Sequence, residues 1–233
     1  MRYKPLLFAP LLLGAAAVVV PNVAQGAAKP QPFDDARLEI EYNATDGDAG
    51  LQIFGDSDNE WKRFEIFRPD GEKILDISAS GVLEDFGLSE LFSESSEPPF
   101  TELPFADFKN LFPAGKYRFE GETTDGHELA STVRFSHQIL TAPVFVQPTD
   151  GGTLPVDQAV IRWQPVSGAV DYEVIVTQDS DESRVMDTTM SPEQTSITVP
   201  AEFLERGESY KIEVHASHSS GNRIFTEIGF TAT

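Results

Sequence analysis

The chain has 233 residues, 38 acidic against 17 basic, a formal charge of −21 and no cysteine. Such a surface is repelled by phosphate backbones and anionic lipid faces, which excludes nucleic acid as a partner. Disulfides are impossible, and the length suits about two domains that must be stabilised by their own cores.

Residues 1–28 read as a signal peptide. Arg2 and Lys4 give a basic start, and 6–20 is an apolar run shorter than a membrane span needs. Small residues at 24–26 and 26–28 offer cleavage sites. With no cysteine for lipid attachment, the expected location is periplasmic or secreted, with no transmembrane segment after the leader is removed. An uncleaved anchor is the alternative. Residues 29–34, with Pro30 and Pro32, read as a flexible lead-in.

From Arg37 the pattern is β. Leu38, Ile40 and Tyr42 alternate with Glu39 and Glu41, and Leu51 alternates with Ile53. The runs 64–67 and 73–77 flank Pro69-Asp70-Gly71, and 117–120 and 130–135 flank Thr124-Asp125-Gly126-His127. Both are hairpin chemistry, and they bound a first domain at 37–137. An insertion at 84–112 interrupts it: 86–92 is expected as a helical turn, 93–99 as a polar break and 105–112 as a short helix after Pro104. After a short connection, a second domain is expected over 142–233. Its inward positions are Ile161 and Trp163, then Tyr172, Val174 and Val176, then Ile197 and Val199. Tyr210, Ile212, Val214 and Ala216 follow, and last Ile224, Ile228 and Phe230.

The second domain resembles the fibronectin type III family, on four features. Trp163 matches the core tryptophan of the second strand, Tyr172 the tyrosine of the third, and Leu204 with Tyr210 the corner before the sixth. The resemblance implies a sandwich of seven short strands and a spacer or protein-contact role. In the first domain Phe112-Pro113-Ala114-Gly115-Lys116-Tyr117 has a similar glycine before a strand-opening tyrosine, and Trp61 is a candidate second core tryptophan. The expected fold class is therefore all-β: two tandem β-sandwich domains, immunoglobulin-like and then fibronectin type III, with a short helical insertion in the first. A jelly roll is the alternative for the first.

Three constellations could carry chemistry. Asp46 and Asp48 form an Asp-x-Asp-x-Gly turn, a candidate calcium site, and Asp56 and Asp58 form an Asp-x-Asp-x-Glu turn beyond the next strand. The spacing fails the EF-hand, and solvated turns are the favoured reading, so no cofactor is expected. Phe92, Phe100, Leu103, Phe105 and Phe108 crowd the insertion as a cap over the sandwich or as a partner-binding edge. His127, His137, His215 and His218 have no partner at metal spacing and are expected at the surface. No nucleophile elbow, zinc-protease motif or phosphate loop is present.

The expected function is a secreted or periplasmic, non-enzymatic binding or scaffold protein. It would mediate protein–protein contacts at the cell envelope or outside the cell. The partner is an unknown protein or an envelope polysaccharide, and the alternatives are a carbohydrate-binding module and a small hydrolase on a sandwich scaffold.

Overall fold

A computed structural model describes residues 29–233, so the expected signal peptide lies outside the described residues. The first half begins with β1 (Asp35–Asn43), β2 (Asp48–Phe67) and β3 (Lys73–Ser78). The insertion supplies helix α1 (Val82–Phe86), β4 (Leu88–Glu94) and helix α2 (Phe105–Leu111). A hairpin of β5 (Gly115–Thr123) and β6 (Glu128–Phe135) follows. The second half holds β7 (Phe145–Gln147), β8 (Gly152–Leu154), β9 (Val160–Trp163), β10 (Ala169–Gln178) and β11 (Arg184–Met190). It ends with β12 (Ser196–Thr198), β13 (Ser209–His218) and β14 (Arg223–Ala232). Among these described residues no helix is long and apolar enough to cross a membrane.

Strand β2 organises the first half, and it is one long strand where the acidic stretch 55–60 was expected to be a turn. Its first part pairs with β1 and β4 and its last part with β3 and β5, so it passes from one layer to the other. The change comes between Asp56 and Arg63: the register with β4 shifts between Asp56 and Trp61, that with β5 between Trp61 and Arg63, and Ser57 is buried. Leu38, Ile40, Leu51, Ile53, Trp61, Phe64, Ile66, Tyr117 and Phe119 fill the space between the layers. Gly55 lets the strand fold over this core, since a methyl group there would lie 2.4 Å from Phe64 Cε2. Gly55→Ala is therefore expected to lower stability by about 1–3 kcal/mol through overpacking. The urea midpoint followed by Trp61 fluorescence in a Trp163→Phe background reads this, and an unchanged midpoint would show that Phe64 yields without cost.

Two further expectations are corrected here. Residues 88–94 are strand, paired with the β2 edge from Glu94↔Gln52 to Leu88↔Trp61, not a helical turn. The lead-in is tied down: Gln31 bridges Leu129 on β6, and Phe33 is buried edge-on against Phe64, with ring centroids 5.2 Å apart.

In the second half, β12–β9–β7 form a three-stranded sheet, and β11–β10–β13–β14 line up as the facing one. This three-on-four arrangement is a fibronectin type III-like fold. Trp163 is 2% exposed and edge-on to Tyr172, with ring centroids 5.3 Å apart. The Tyr172 hydroxyl accepts a hydrogen bond from Val166 N, and the Tyr210 hydroxyl accepts one from Glu205 N at 2.8 Å. Tyr210 stacks on Phe230, and Leu204 closes the same cluster.

The two halves share a sheet. The start of β14 pairs in parallel with β1, through Glu41↔Arg223, Tyr42↔Ile224 and Asn43↔Phe225. Strand order then runs without a break from β11 through β14 and β1 to β2. Further along, β14 takes β8 as its parallel neighbour. Between these contacts Glu227 N donates to Thr45 Oγ1 and Gly229 N to Asp150 Oδ1. Tyr42 and Ile139 pack against both hydrophobic clusters. Asn222, 1% exposed in the turn before β14, closes the seam. Its Oδ1 accepts from Ile40 N at 2.9 Å, and its Nδ2 donates to Ser136 O at 2.8 Å and Gln138 O at 3.0 Å.

Candidate functional site

Side chains alternate faces along a strand, so the register fixes what the shared sheet presents away from the cores. On β1 the outward groups are Arg37, Glu39 and Glu41; on β14, Arg223 and Phe225; on β13, Glu213 and His215; on β10, Glu173 and Ile175. Cross-strand pairing sets Glu41 beside Arg223, His215 beside Phe225 and Glu173, and Glu39 beside Gln52. A charged face thus runs across the seam. Two shallow cavities of about 390 and 320 Å³ share its Arg223.

Arg223 is the central cation. Its guanidinium meets Glu173 at 2.9 Å, Glu41 at 3.5 Å and Glu39 at 3.9 Å. Burial alone would raise the Glu213 carboxyl, but hydrogen bonds with His215 and Lys211 outweigh it and lower it to about 2. His215 is 3% exposed and stacked on Phe225 at 4.4 Å, which corrects the expected surface position. A central strand of a wide sheet has covered neighbours on both sides, so even its outward side chains lose contact with water. At the first-half end, Arg37 lies 4.0 Å over the Phe54 ring, and Phe54 packs on Phe92 at 5.1 Å.

Acidic groups collect where β1, β2 and β4 adjoin. Glu41, Glu94 and Glu97 bring ligand oxygens within 4.8 Å of one another, the only such trio of acidic or histidine side chains among the described residues. Partial burial, then the charges of Glu94, Glu41 and Asp48, push the Glu97 carboxyl up to about 7. Burial raises Glu41 more than His215 and Arg223 lower it. The structure leaves Asp46 exposed in its turn, held by Asn43 Nδ2 at 3.3 Å. Asp48 is half-buried with its Oδ1 unpartnered, and burial followed by Asp46 raises its carboxyl. Neither joins the trio.

The insertion aromatics divide. Phe108 is buried, and Phe100, Leu103 and Phe105 pack half-buried onto the first core. Phe100 and Phe105 both meet Tyr42, at 5.1 and 5.2 Å, and so form a lid on the seam side of that core. Phe92 is apart from them and 56% exposed. Sequence reasoning passed over helix α1, where Val82, Leu83 and Phe86 are 78%, 48% and 79% exposed and no residue is buried. An apolar pair at i, i+4 was the available signal. Trp61, at 1% exposure, is too enclosed to stack on a sugar.

No protein family matches the chain, and no curated protein does. Among solved structures it is similar to the chicken CNTN1 FN1–FN3 domains, with 14% identity and a TM-score of 0.36, covering 89% of this chain and 69% of that one. It is also similar to a two fibronectin type III domain segment of chicken tenascin, with 12% identity and a TM-score of 0.32, covering 85% and 99%. A tetra-tandem repeat in the extending region of a large adhesion protein gives 12% identity and a TM-score of 0.29, covering 85% and 50%. These overlaps are partial, and no role of those proteins is carried over.

Proposed function

We propose that this chain is a secreted or periplasmic, non-enzymatic scaffold protein that makes protein–protein contacts. In this reading it is built from two tandem sandwiches, immunoglobulin-like over 37–137 and fibronectin type III over 142–233. The observation that carries the proposal is the apolar surface of α1. Scattered exposed apolar side chains are normal, but three on one five-residue helix with no buried residue are a contact surface in waiting. The helix belongs with the insertion that a plain sandwich does not need, and Phe92 adds a second exposed ring on the strand that follows. The deeper aromatics of the insertion cap the first core instead.

The test is capture from the native envelope or extracellular fraction, with residues 29–233 as bait and the double variant Val82→Asp, Phe86→Asp beside it. Both substituted side chains are largely exposed, so the fold should survive, as circular dichroism would show. Loss of about 2 kcal/mol or more of contact energy lowers recovery of the captured species by tenfold or more. Equal recovery by both baits removes α1 as the contact surface and the proposal with it.

A further inference from the structure

The first-half end of the seam holds more negative charge than its cations meet. Arg223 is shared among Glu39, Glu41 and Glu173, and among the described residues no lysine, arginine or histidine lies within 4.0 Å of the carboxylates of Glu94 or Glu97. Yet Glu97, on the loop after β4, turns back onto the sheet. The approach is possible only because residue 50 is glycine, since a methyl group there would lie 2.5 Å from Glu97 Oε1. The loop is set in place by its backbone, with Ser95 N donating to Leu51 O and Leu51 N to Ser95 Oγ, each at 2.9 Å.

A second, independent feature points to a missing ligand. Gln52 is 5% exposed, and its Nε2 donates to Glu94 Oε1 at 2.9 Å, which puts the amide head among these carboxylates. Its Oε1 is buried with no hydrogen-bond partner. Leaving a buried acceptor unmade is costly, and native structures rarely do so without a reason. That oxygen belongs to the same amide head that meets Glu94, so a cation held by these carboxylates would supply its missing partner. His215 Nδ1, also buried and unpartnered, faces Glu41 Oε2 at 3.9 Å. A water in an ion's shell would partner it there.

We propose that Glu41, Glu94 and Glu97 bind one calcium-class divalent cation, with Gln52 Oε1 as a fourth oxygen donor. The geometry fits: two oxygens bound to the same calcium at about 2.4 Å lie no more than about 4.8 Å apart, and the three carboxylates meet that limit. The donor set is all oxygen, which selects a hard cation. Its mixture of strand and loop donors suits calcium's tolerant coordination better than magnesium's strict octahedron. Glu94 and Glu97 are exposed, so the ion has an open path from solvent. The site is distinct from the Asp46–Asp48 turn and from α1, and it stands or falls independently of the contact function.

The experiment titrates CaCl2 into chelator-treated residues 29–233 by calorimetry and thermal melting at neutral pH. Ionic strength is held with NaCl so that screening of the acidic surface is constant. Wild type should show saturable heat at one ion per chain and a calcium-dependent rise in Tm. Glu97→Gln should bind about tenfold or more weakly, because ligand charge sets affinity. Its chelated form should melt no lower than wild type, since the change removes a like charge. Gly50→Ala, which drives the Glu97 head away, should weaken binding without altering a ligand, and Asp46→Asn should not weaken it. Absence of saturable heat overturns the proposal, as does equal affinity in Glu97→Gln or a loss in Asp46→Asn that moves the ion to the turn.

Discussion

Asn222→Ala should uncouple the two cores and cost about 3 kcal/mol or more. The side chain satisfies one backbone N–H of β1 and two carbonyls of the 136–138 connection, all at the buried seam. Removing it leaves these groups without partners, at about 1–3 kcal/mol for each that water cannot reach. The chain has two tryptophans, and each reports a different core: Trp61 the first and Trp163 the second. In Trp61→Phe and Trp163→Phe backgrounds the remaining indole follows one core alone. With Asn222 present, the two denaturation curves should coincide, because strand pairing across the seam makes the halves melt as one unit. With alanine they should fall at lower denaturant and separate. Curves that stay superimposed and unshifted would show that the β1–β14 pairing holds the halves without this clip.

Trp163→Ala should cost about 3–5 kcal/mol, the range for emptying an indole's space in a core. Folded units of this kind are stable by only about 5–15 kcal/mol, so this removes a large share of what holds the two halves folded together. The indole Nε1 is buried without a partner, so Trp163 acts by volume and by its edge-on contact with Tyr172 rather than by hydrogen bonding. Trp163→Phe keeps most of that volume and should cost only about 1–2 kcal/mol. Chemical denaturation of the two variants measures the gap. If both cost the same, the indole nitrogen carries the effect, through a bond to an ordered water.

The strands of the second half were legible because their periodicity is local. Tyr210, Ile212, Val214 and Ala216 point one way and are all buried, and Lys211, Glu213 and His215 point the other. Both tight hairpins of the first half also fall at their turn residues. Strand β4 misled for a physical reason. Leu88, Leu91 and Phe92 recur at i, i+3, i+4, which is helical spacing, but the open edge of β2 supplies backbone partners that override local preference. The stretch 55–60 has turn composition, yet pairing and the burial of Ser57 keep it in β2. The seam was invisible because pairing between distant segments leaves no mark on either. Glu39 and Glu41 read as solvent-facing, and nothing in the sequence says that Arg223 lies beside them. The carboxylate trio was missed likewise, since its members come from β1, β4 and the loop beyond and meet only once the strands are laid side by side.

A ribosome makes β1 long before β14, yet the two are neighbours in the finished molecule. While the nascent chain grows, β1 can zip onto β2, but its other flank stays bare until residues 223–225 emerge. Such long-range closure is slow to find and leaves an edge open to stray pairing in the meantime.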